Sequence, residues 1–190
     1  TSDSENPEFE GVSPAREFSD QAFNVGFEHS SEYWFLETSY QQIGKDFRAD
    51  LGYMPRVDFK EVETQLDRIF YGDDSWWTKA SIGFEYEQST NENNELLNEE
   101  AEINFFLKGP WQSATRLRFV KQERVGLRYD YTNDEIDGNT TLYDLNKAKL
   151  YTEAQPIKNV YFNLYTVVGD EIDYLNDRKG DGIEVSHRLM

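Results

Sequence analysis

The chain has 190 residues, a formal net charge of −18, no cysteine and two histidines. This length suffices for one domain with a hydrophobic core. The charge repels phosphate and argues against nucleic acid as a partner, and the absence of cysteine excludes disulfides, thiolate zinc sites and thiol catalysis. Aromatic residues make up 15% of the chain, which indicates a folded protein rather than a disordered acidic one.

The first segment of the chain is polar, and apolar and polar residues alternate in much of the remainder. Residues 1–20 are rich in Ser and Glu and predict a polar linker, or a plug-proximal segment, ahead of the folded part, residues 21–190. Alternation of apolar and polar residues with period two is typical of half-exposed β-strands. It recurs at 23–27, 47–53, 80–86, 101–107, 125–131 and 160–168.

One run is ambiguous between helix and strand. In "FKEVETQLDRIFYG", Val62, Leu66, Ile69 and Phe70 stand at helical spacing, but the runs on both sides alternate, so a strand is favoured. The runs are separated by the turn signals "YGDDS", "STNENNE", "KGP", "TNDEIDGNT", "AQPIKN" and "NDRKGDG". Together these features predict an all-β, antiparallel up-and-down meander of about eight to ten strands.

Strand length and aromatic placement bear on the type of all-β architecture. Strands of soluble sandwiches have about five to six residues and those of membrane barrels about nine to eleven. The runs 76–88 and 99–108 favour the latter, although a mean hydropathy of −0.81 counts against burial in lipid. Aromatic residues at strand ends are typical of interfacial girdles, although aromatics are also common in strands generally. These residues are Tyr40, Tyr71, Trp76, Trp77, Trp111 and Tyr131.

The segment from Tyr33 to Val62 carries a spaced motif, Ile-x3-Phe-x4-Gly-Tyr-x-Pro-Arg-x-Asp. Its members are Ile43, Phe47, Gly52, Tyr53, Pro55, Arg56 and Asp58. The segment resembles the C-terminal barrel region of bacterial proteins that have an N-terminal family 9-like carbohydrate-binding domain, and the later "DDSWW" is similar as well. The resemblance implies an outer-membrane β-barrel of a Gram-negative bacterium, surrounded by outer-membrane lipid.

Two departures from this family suggest that only part of a barrel is present. The chain is short, and it lacks a terminal aromatic residue. The carbohydrate-binding domain is not in the sequence, so its ligand does not carry over. Within the motif, Pro55 cannot donate to a ladder, so strand pairing ends or bulges there. Gly52 permits a bend, and Arg56 is expected to anchor at a barrel rim or to pair with Asp58, as a structural corner without a ligand.

The predicted function is a non-catalytic channel, or a scaffold for a surface or periplasmic binding domain, in the bacterial outer membrane. Another protein is a possible partner that completes or occupies the barrel. An acidic lumen would favour cations. The residues assigned to a wet lumen face are Lys79, Glu85, Glu87, Glu100, Glu102, Arg128 and Asp130.

Little in the sequence indicates catalysis, a metal or another cofactor, and none is predicted. His29 and His187 are expected to be surface or lumen residues. The string at 133–144 matches EF-hand spacing poorly, and with the acidic loop at 176–182 it leaves loose divalent-ion binding open. Two alternatives remain: a soluble, secreted or periplasmic β-sandwich that binds carbohydrate or another partner, and an acid-based enzyme acting on glycosides.

Overall fold

The computed structural model describes residues 20–45, 47, 57–73, 75–125, 141–173, 176 and 178–190. These residues form one nine-stranded antiparallel sheet whose strands follow chain order. The predicted all-β antiparallel meander is therefore confirmed. The strands are β1 (Ala22–Ser30), β2 (Trp34–Ile43), β3 (Phe59–Tyr71), β4 (Lys79–Thr90), β5 (Leu96–Lys108), β6 (Ala114–Val125), β7 (Leu142–Ile157), β8 (Val160–Asp173) and β9 (Arg178–Leu189).

The sheet is open. Each described strand pairs with its sequence neighbours, and β1 and β9 form the two edges without pairing to each other. Within the described residues there is thus no closed barrel and no second sheet packed on the first. No helix in the described part of the chain is long and apolar enough to cross a membrane.

The ladder register assigns the strand residues to two faces, because directly paired residues share a face. One row of pairs runs from His29 in β1 through Leu36, Leu66, Phe84, Ile103, Phe119, Ala148 and Val168 to Ile183 in β9. We term this side the apolar face. Its exposed side chains include Phe23, Val25, Phe27, Val62, Leu66, Phe70, Ile82, Phe84, Ile103, Phe105, Phe119, Phe162, Val168, Ile183, Val185 and Leu189.

The opposite side, termed the polar face, is the more enclosed one. Glu102 and Asn104 are buried there, although no second layer of described residues covers them. A Cβ atom at Gly83 would overlap the side chains of Asp67 and Asn104 on the adjacent strands. Side chains of neighbouring strands therefore crowd against one another on the polar face.

The two ends of the sheet differ in their connections. At one end the connections span residues 31–33, 72–78, 109–113 and 158–159, and we term this the short-connection end. At the other end they span 44–58, 91–95, 126–141 and 174–177, and we term this the long-connection end. A small apolar core of Ile43, Phe59 and Leu97, with Phe47 and Val57 packed against it, lies at the long-connection end.

Several boundaries differ from those predicted. Residues 59–71 of the ambiguous run 59–72 form strand β3, as favoured. Trp76 and Trp77 precede β4 rather than beginning it, and β5 starts at Leu96 instead of residue 99. The turn expected at "AQPIKN" is reduced to residues 158–159, because the strand continues past Pro156 through a register shift between Ala154 and Ile157. A bulge tolerates a proline, which has no N–H to donate to the ladder.

The predicted acidic loop at 176–182 is also shorter than expected. Residues 178–182 open strand β9, and Arg178 pairs with Asp173 across the ladder, where its Nε donates to the Asp173 carboxylate at 3.0 Å. Polar residues thus extend the hairpin instead of forming its turn. The predicted segment 1–20 (apart from Asp20), most of the predicted strand 47–53, and residues 126–140, including Tyr131, lie outside the described residues.

Candidate functional site

Five of the predicted lumen residues lie together on the polar face. Lys79, Glu85 and Glu87 are in β4, and Glu100 and Glu102 are in β5. Glu85 is directly opposite Glu102, and Glu87 is directly opposite Glu100. Arg128 and Asp130 lie outside the described residues. The register therefore brings like charges together, an arrangement that is destabilising unless other groups balance it.

An acidic half of the polar face extends over β2–β5. A shallow cleft of about 240 Å³ lies within it, and its lining includes Glu37, Glu63, Glu85, Glu87, Glu100 and Glu102. Neutral amides bind part of this cluster. Asn98 donates to Glu87 at 2.7 Å and accepts from Gln122 at 2.9 Å, and Asn104 donates to Glu85 at 3.2 Å. These bonds hold two carboxylates of β4 against amides of β5.

A basic half, which the sequence reasoning did not identify, follows on β6 and β7. The alternation of Arg116 and Arg118 with Leu117 in "ATRLRFVKQERV" was the available signal, because it places both arginines on one face. The acidic half consists of Glu37, Glu61, Glu63, Asp67, Glu85, Glu87, Glu100 and Glu102, with Lys79 and Lys108 among them. The basic half consists of Arg116, Arg118, Arg124, Lys147 and Lys149, with Glu153 among them.

Glu102 joins the two halves. Its carboxylate lies 3.6 Å from Arg118 Nη1 and 3.7 Å from Lys149 Nζ, and its side chain is 3% exposed. Arg118 and Lys149 are directly opposite each other across β6 and β7. The acid therefore separates two like charges. Its Oε1 has no hydrogen-bond partner among the described residues, so the contact is ionic rather than a well-aligned bond.

All four tryptophans lie at the short-connection end. Trp34 begins β2, Trp76 and Trp77 are in connection 72–78, and Trp111 is in connection 109–113. There the Tyr33 and Tyr71 rings meet edge to face at 6.2 Å, and hydrogen bonding to the Glu32 carboxylate raises the pKa of Tyr33. One aromatic residue predicted at a strand end lies elsewhere, and another cannot be placed. Tyr40 packs on Phe23 at 6.2 Å within the apolar face, and Tyr131 is not described.

Arg68 is the exception to the apolar face at this end. Its guanidinium carbon lies 5.0 Å from the Trp34 ring and 5.2 Å from the rings of Tyr33 and Phe70. Its Nη1 donates to the Tyr33 carbonyl at 3.1 Å. Cation–π contacts of this kind hold a guanidinium in place while leaving some of its N–H donors open.

Only part of the Tyr33–Val62 motif can be placed. Ile43 and Phe47 contribute to the apolar core at the long-connection end. Gly52, Tyr53, Pro55 and Arg56 lie outside the described residues. Asp58 has a positive φ of 58°, and its carboxylate accepts from the Glu92 backbone N–H at 2.9 Å. Asp58 thus ties connection 44–58 to connection 91–95.

The described residues contain no group of three or more His, Asp or Glu side chains that could hold a metal ion. His29 and His187 are both exposed and lie on the apolar face of the two edge strands. Most of the 133–144 string is outside the described residues.

Comparison with known proteins adds no relative: no family model, no curated protein and no solved structure matches the chain. The resemblance to the barrel region of proteins with a family 9-like domain stays a prediction.

Proposed function

We propose that the chain forms part of the wall of an outer-membrane β-barrel, with lipid against the apolar face and water against the polar face. The observation that carries the proposal is the inverted exposure of the two faces. Phe84, Ile103 and Phe119 are exposed, while Glu102 and Asn104 are buried. A half-solvated sheet of a soluble protein buries its apolar face instead, whereas a membrane barrel turns that face outward to lipid.

The path of the apolar side chains across the sheet supports the same proposal. In β1 they are Phe23, Val25 and Phe27, all on the long-connection side of the row that contains His29. In β9 they start at Ile183, which is in that row, and continue to Leu189 toward the short-connection end. The apolar belt therefore crosses the ladder obliquely. Tilted strands that pass through a flat slab produce this offset.

The height of the belt is compatible with a membrane. In β3 it extends from Val62 to Phe70. At about 3.3 Å per residue and a tilt of about 40°, this length gives a height of roughly 20 Å, against roughly 25 Å for the apolar band of outer-membrane barrels. Because such barrels have short periplasmic turns, we assign the short-connection end, with its tryptophans, to the periplasmic side.

Strand direction bears on the partner. β1 and β9 run in the same direction, since nine strands alternate along the sheet. Direct pairing of these edges would be parallel, and an entirely antiparallel closure needs an odd number of additional strands. We infer that further strands complete the wall, from another protein or from elsewhere in the same polypeptide. They would present the same outward apolar and inward polar alternation as β1 and β9.

The polar face would line a wet lumen, as a channel or as a scaffold for a binding domain, without catalysis. The expected acidic lumen would also contain a basic half, because Arg116, Arg118 and Lys149 stand beside the carboxylates. The acidic half is larger, so cation preference is still expected. Reversal potentials measured in a salt gradient test this cation preference, and a preference for anions would contradict it. The double variant Glu87→Gln with Glu100→Gln should reduce the preference for cations.

Heat-modified electrophoretic mobility tests the proposal. The protein is extracted from membranes in a mild detergent and run boiled and unboiled. A closed barrel resists the detergent until it is boiled, so a shift in mobility is expected. The proposal would be contradicted if all of the protein were recovered in the soluble fraction, monodisperse without detergent, and if boiling did not change its mobility. This result would favour the secreted carbohydrate-binding alternative, and a glycan screen would follow.

A further inference from the structure

We propose that Arg68, within the rings of Tyr33, Trp34 and Phe70, binds the phosphate of a phospholipid headgroup on the outside of the sheet. This inference rests on the proposed membrane location of the apolar face. It adds a binding site of defined chemistry, an anionic lipid phosphate, at a place where the sequence predicted only an aromatic girdle.

The isolation of Arg68 is the first observation. On the apolar face, the charged strand residues are Lys60, Glu99, Lys121, Glu123, Asp144, Asp170, Lys179 and Asp181, all on the long-connection side of the row from His29 to Ile183. Among the described strand residues, Arg68 is the one Asp, Glu, Lys or Arg of that face on the short-connection side. An isolated cation on a lipid-facing surface requires a compensating anion.

The available protein contacts do not supply that anion. The described residues give Arg68 one hydrogen bond, to the neutral Tyr33 carbonyl, and no ion pair. A guanidinium has five N–H donors, so several remain open. Phosphate accepts two parallel N–H bonds from a guanidinium, a geometry that a lysine ammonium cannot reproduce.

The position of Arg68 matches the depth of lipid phosphates. Its three rings belong to the tryptophan-rich end of the sheet, and aromatic belts lie at the level of the lipid headgroups. The stem of the half-buried side chain lies among Leu66, Ile82 and Phe70 on the apolar face. Arg68 is thus two residues from Phe70, where the belt ends in β3, and a long side chain at this position reaches the interface with its charged group.

Arg116 provides a matched control. It is also at the short-connection end and lies 5.5 Å from an aromatic ring, that of Phe106, but it is on the polar face. It shares the charge, the residue type and the aromatic contact with Arg68 and differs in the face that it occupies.

The experiment uses the membrane-extracted protein, with any strands that complete its wall, in dodecyl maltoside, a detergent without phosphate. Phosphatidylglycerol, diacylglycerol with the same acyl chains, or inorganic phosphate is titrated in, and tryptophan fluorescence and the thermal midpoint are recorded. All four tryptophans lie at this end, so their emission reports on the site. We expect a saturable response to phosphatidylglycerol only. Arg68→Gln should weaken it about tenfold or more, while Arg116→Gln should leave it unchanged.

Arg68→Lys is the control for a folding defect in the glutamine variant. It keeps the charge and should bind with intermediate affinity, because it loses the bidentate geometry. The inference is overturned if Arg68→Gln and Arg68→Lys both respond as the wild type does, or if diacylglycerol acts as well as phosphatidylglycerol. An equal response to inorganic phosphate would indicate a free-phosphate site and also overturns it. If the wild type shows the heat-dependent mobility shift but no preference for phosphatidylglycerol, only this inference is overturned. If it shows no heat-dependent mobility shift, the proposed function is overturned as well.

Discussion

Glu102 and Ile103 are consecutive in β5 and have opposite surroundings. The Glu102 side chain is 3% exposed, and Ile103 is 47% exposed. In a sheet that covers a core in water, the acid would be exposed and the isoleucine buried. Alternation alone therefore does not identify which face of a strand is turned inward. Burial does, and here the polar face is the more enclosed one.

The largest expected effect comes from a charge on the apolar face. Ile103→Arg should destabilise the folded protein in lipid vesicles by about 2–4 kcal/mol, the cost of a basic residue near the midplane on the lipid side of a barrel. Urea titration in vesicles measures the loss. Glu100→Arg, three residues away on the polar face, is the control and should retain most of the stability. Equal tolerance of both variants would show that lipid does not contact Ile103.

A second expectation concerns the seam between the acidic and basic halves. Glu102→Gln removes the charge that separates Arg118 from Lys149. Removal of one member of a fully buried ion pair costs about 3–5 kcal/mol, because the remaining charge is left unpaired. Because Arg118 and Lys149 are 31% and 22% exposed, we expect a loss of about 2 kcal/mol.

The same unfolding titration includes a background in which Lys149 is already Gln. There the effect of Glu102→Gln should shrink, because one of the two like charges is gone. An unchanged effect in that background would show that Glu102 does not act by offsetting the repulsion between Arg118 and Lys149.

The alternation predicted strands that correspond to β1, β4, β5 and β8, but not which strands pair with one another. Period two predicts a two-faced strand at 80–86 and another at 101–107, and Phe84 and Ile103 of these runs are directly paired on the apolar face. Pairing depends on register, which no local pattern specifies. For this reason the contact of Glu102 with Lys149, two strands away, could not be predicted from the sequence. The basic half was missed because acids outnumber bases in the chain, although its alternation was readable.

Turn-forming residues led to wrong turn predictions at two places, for a physical reason. The Gly, Asp and Pro residues near Pro156 and Asp181 predicted turns, yet both residues lie in strands. Charged pairs such as Asp173 with Arg178 continue the ladder beyond the apolar belt. In long hairpins that extend into water, polar residues thus mark the solvated part of the strand as well as the turn.

The crowding of the polar face leads to the third expectation. Gly83→Ala should cost about 1–2 kcal/mol, because the new methyl group meets the side chains of Asp67 and Asn104. Gly26 in β1 has ordinary contact distances of 3.7 Å or more around a Cβ. Gly26→Ala on the same face should therefore be neutral or stabilising by about 0.5–1 kcal/mol. Thermal unfolding distinguishes the two. A tolerated Gly83→Ala would mean that the polar face is not crowded at β4.

The smallest expected effect concerns a hydroxyl pair on the apolar face. Thr115 and Thr152 are directly opposite, with their Oγ1 atoms 2.9 Å apart. In lipid, each hydroxyl needs the other, because no water replaces a lost partner. Thr115→Val or Thr152→Val alone should therefore cost about 0.5–1 kcal/mol, and the double variant should be close to wild type.

A double-mutant cycle in vesicles measures the coupling between the two threonines. In a sheet whose apolar face is in water, each single variant would be nearly neutral, since water satisfies the remaining hydroxyl. The size of the coupling thus depends on the medium at this face: it is measurable in lipid and close to zero in water. Additive single effects would place water rather than lipid against Thr115 and Thr152, on the same face as Phe119 and Ile103.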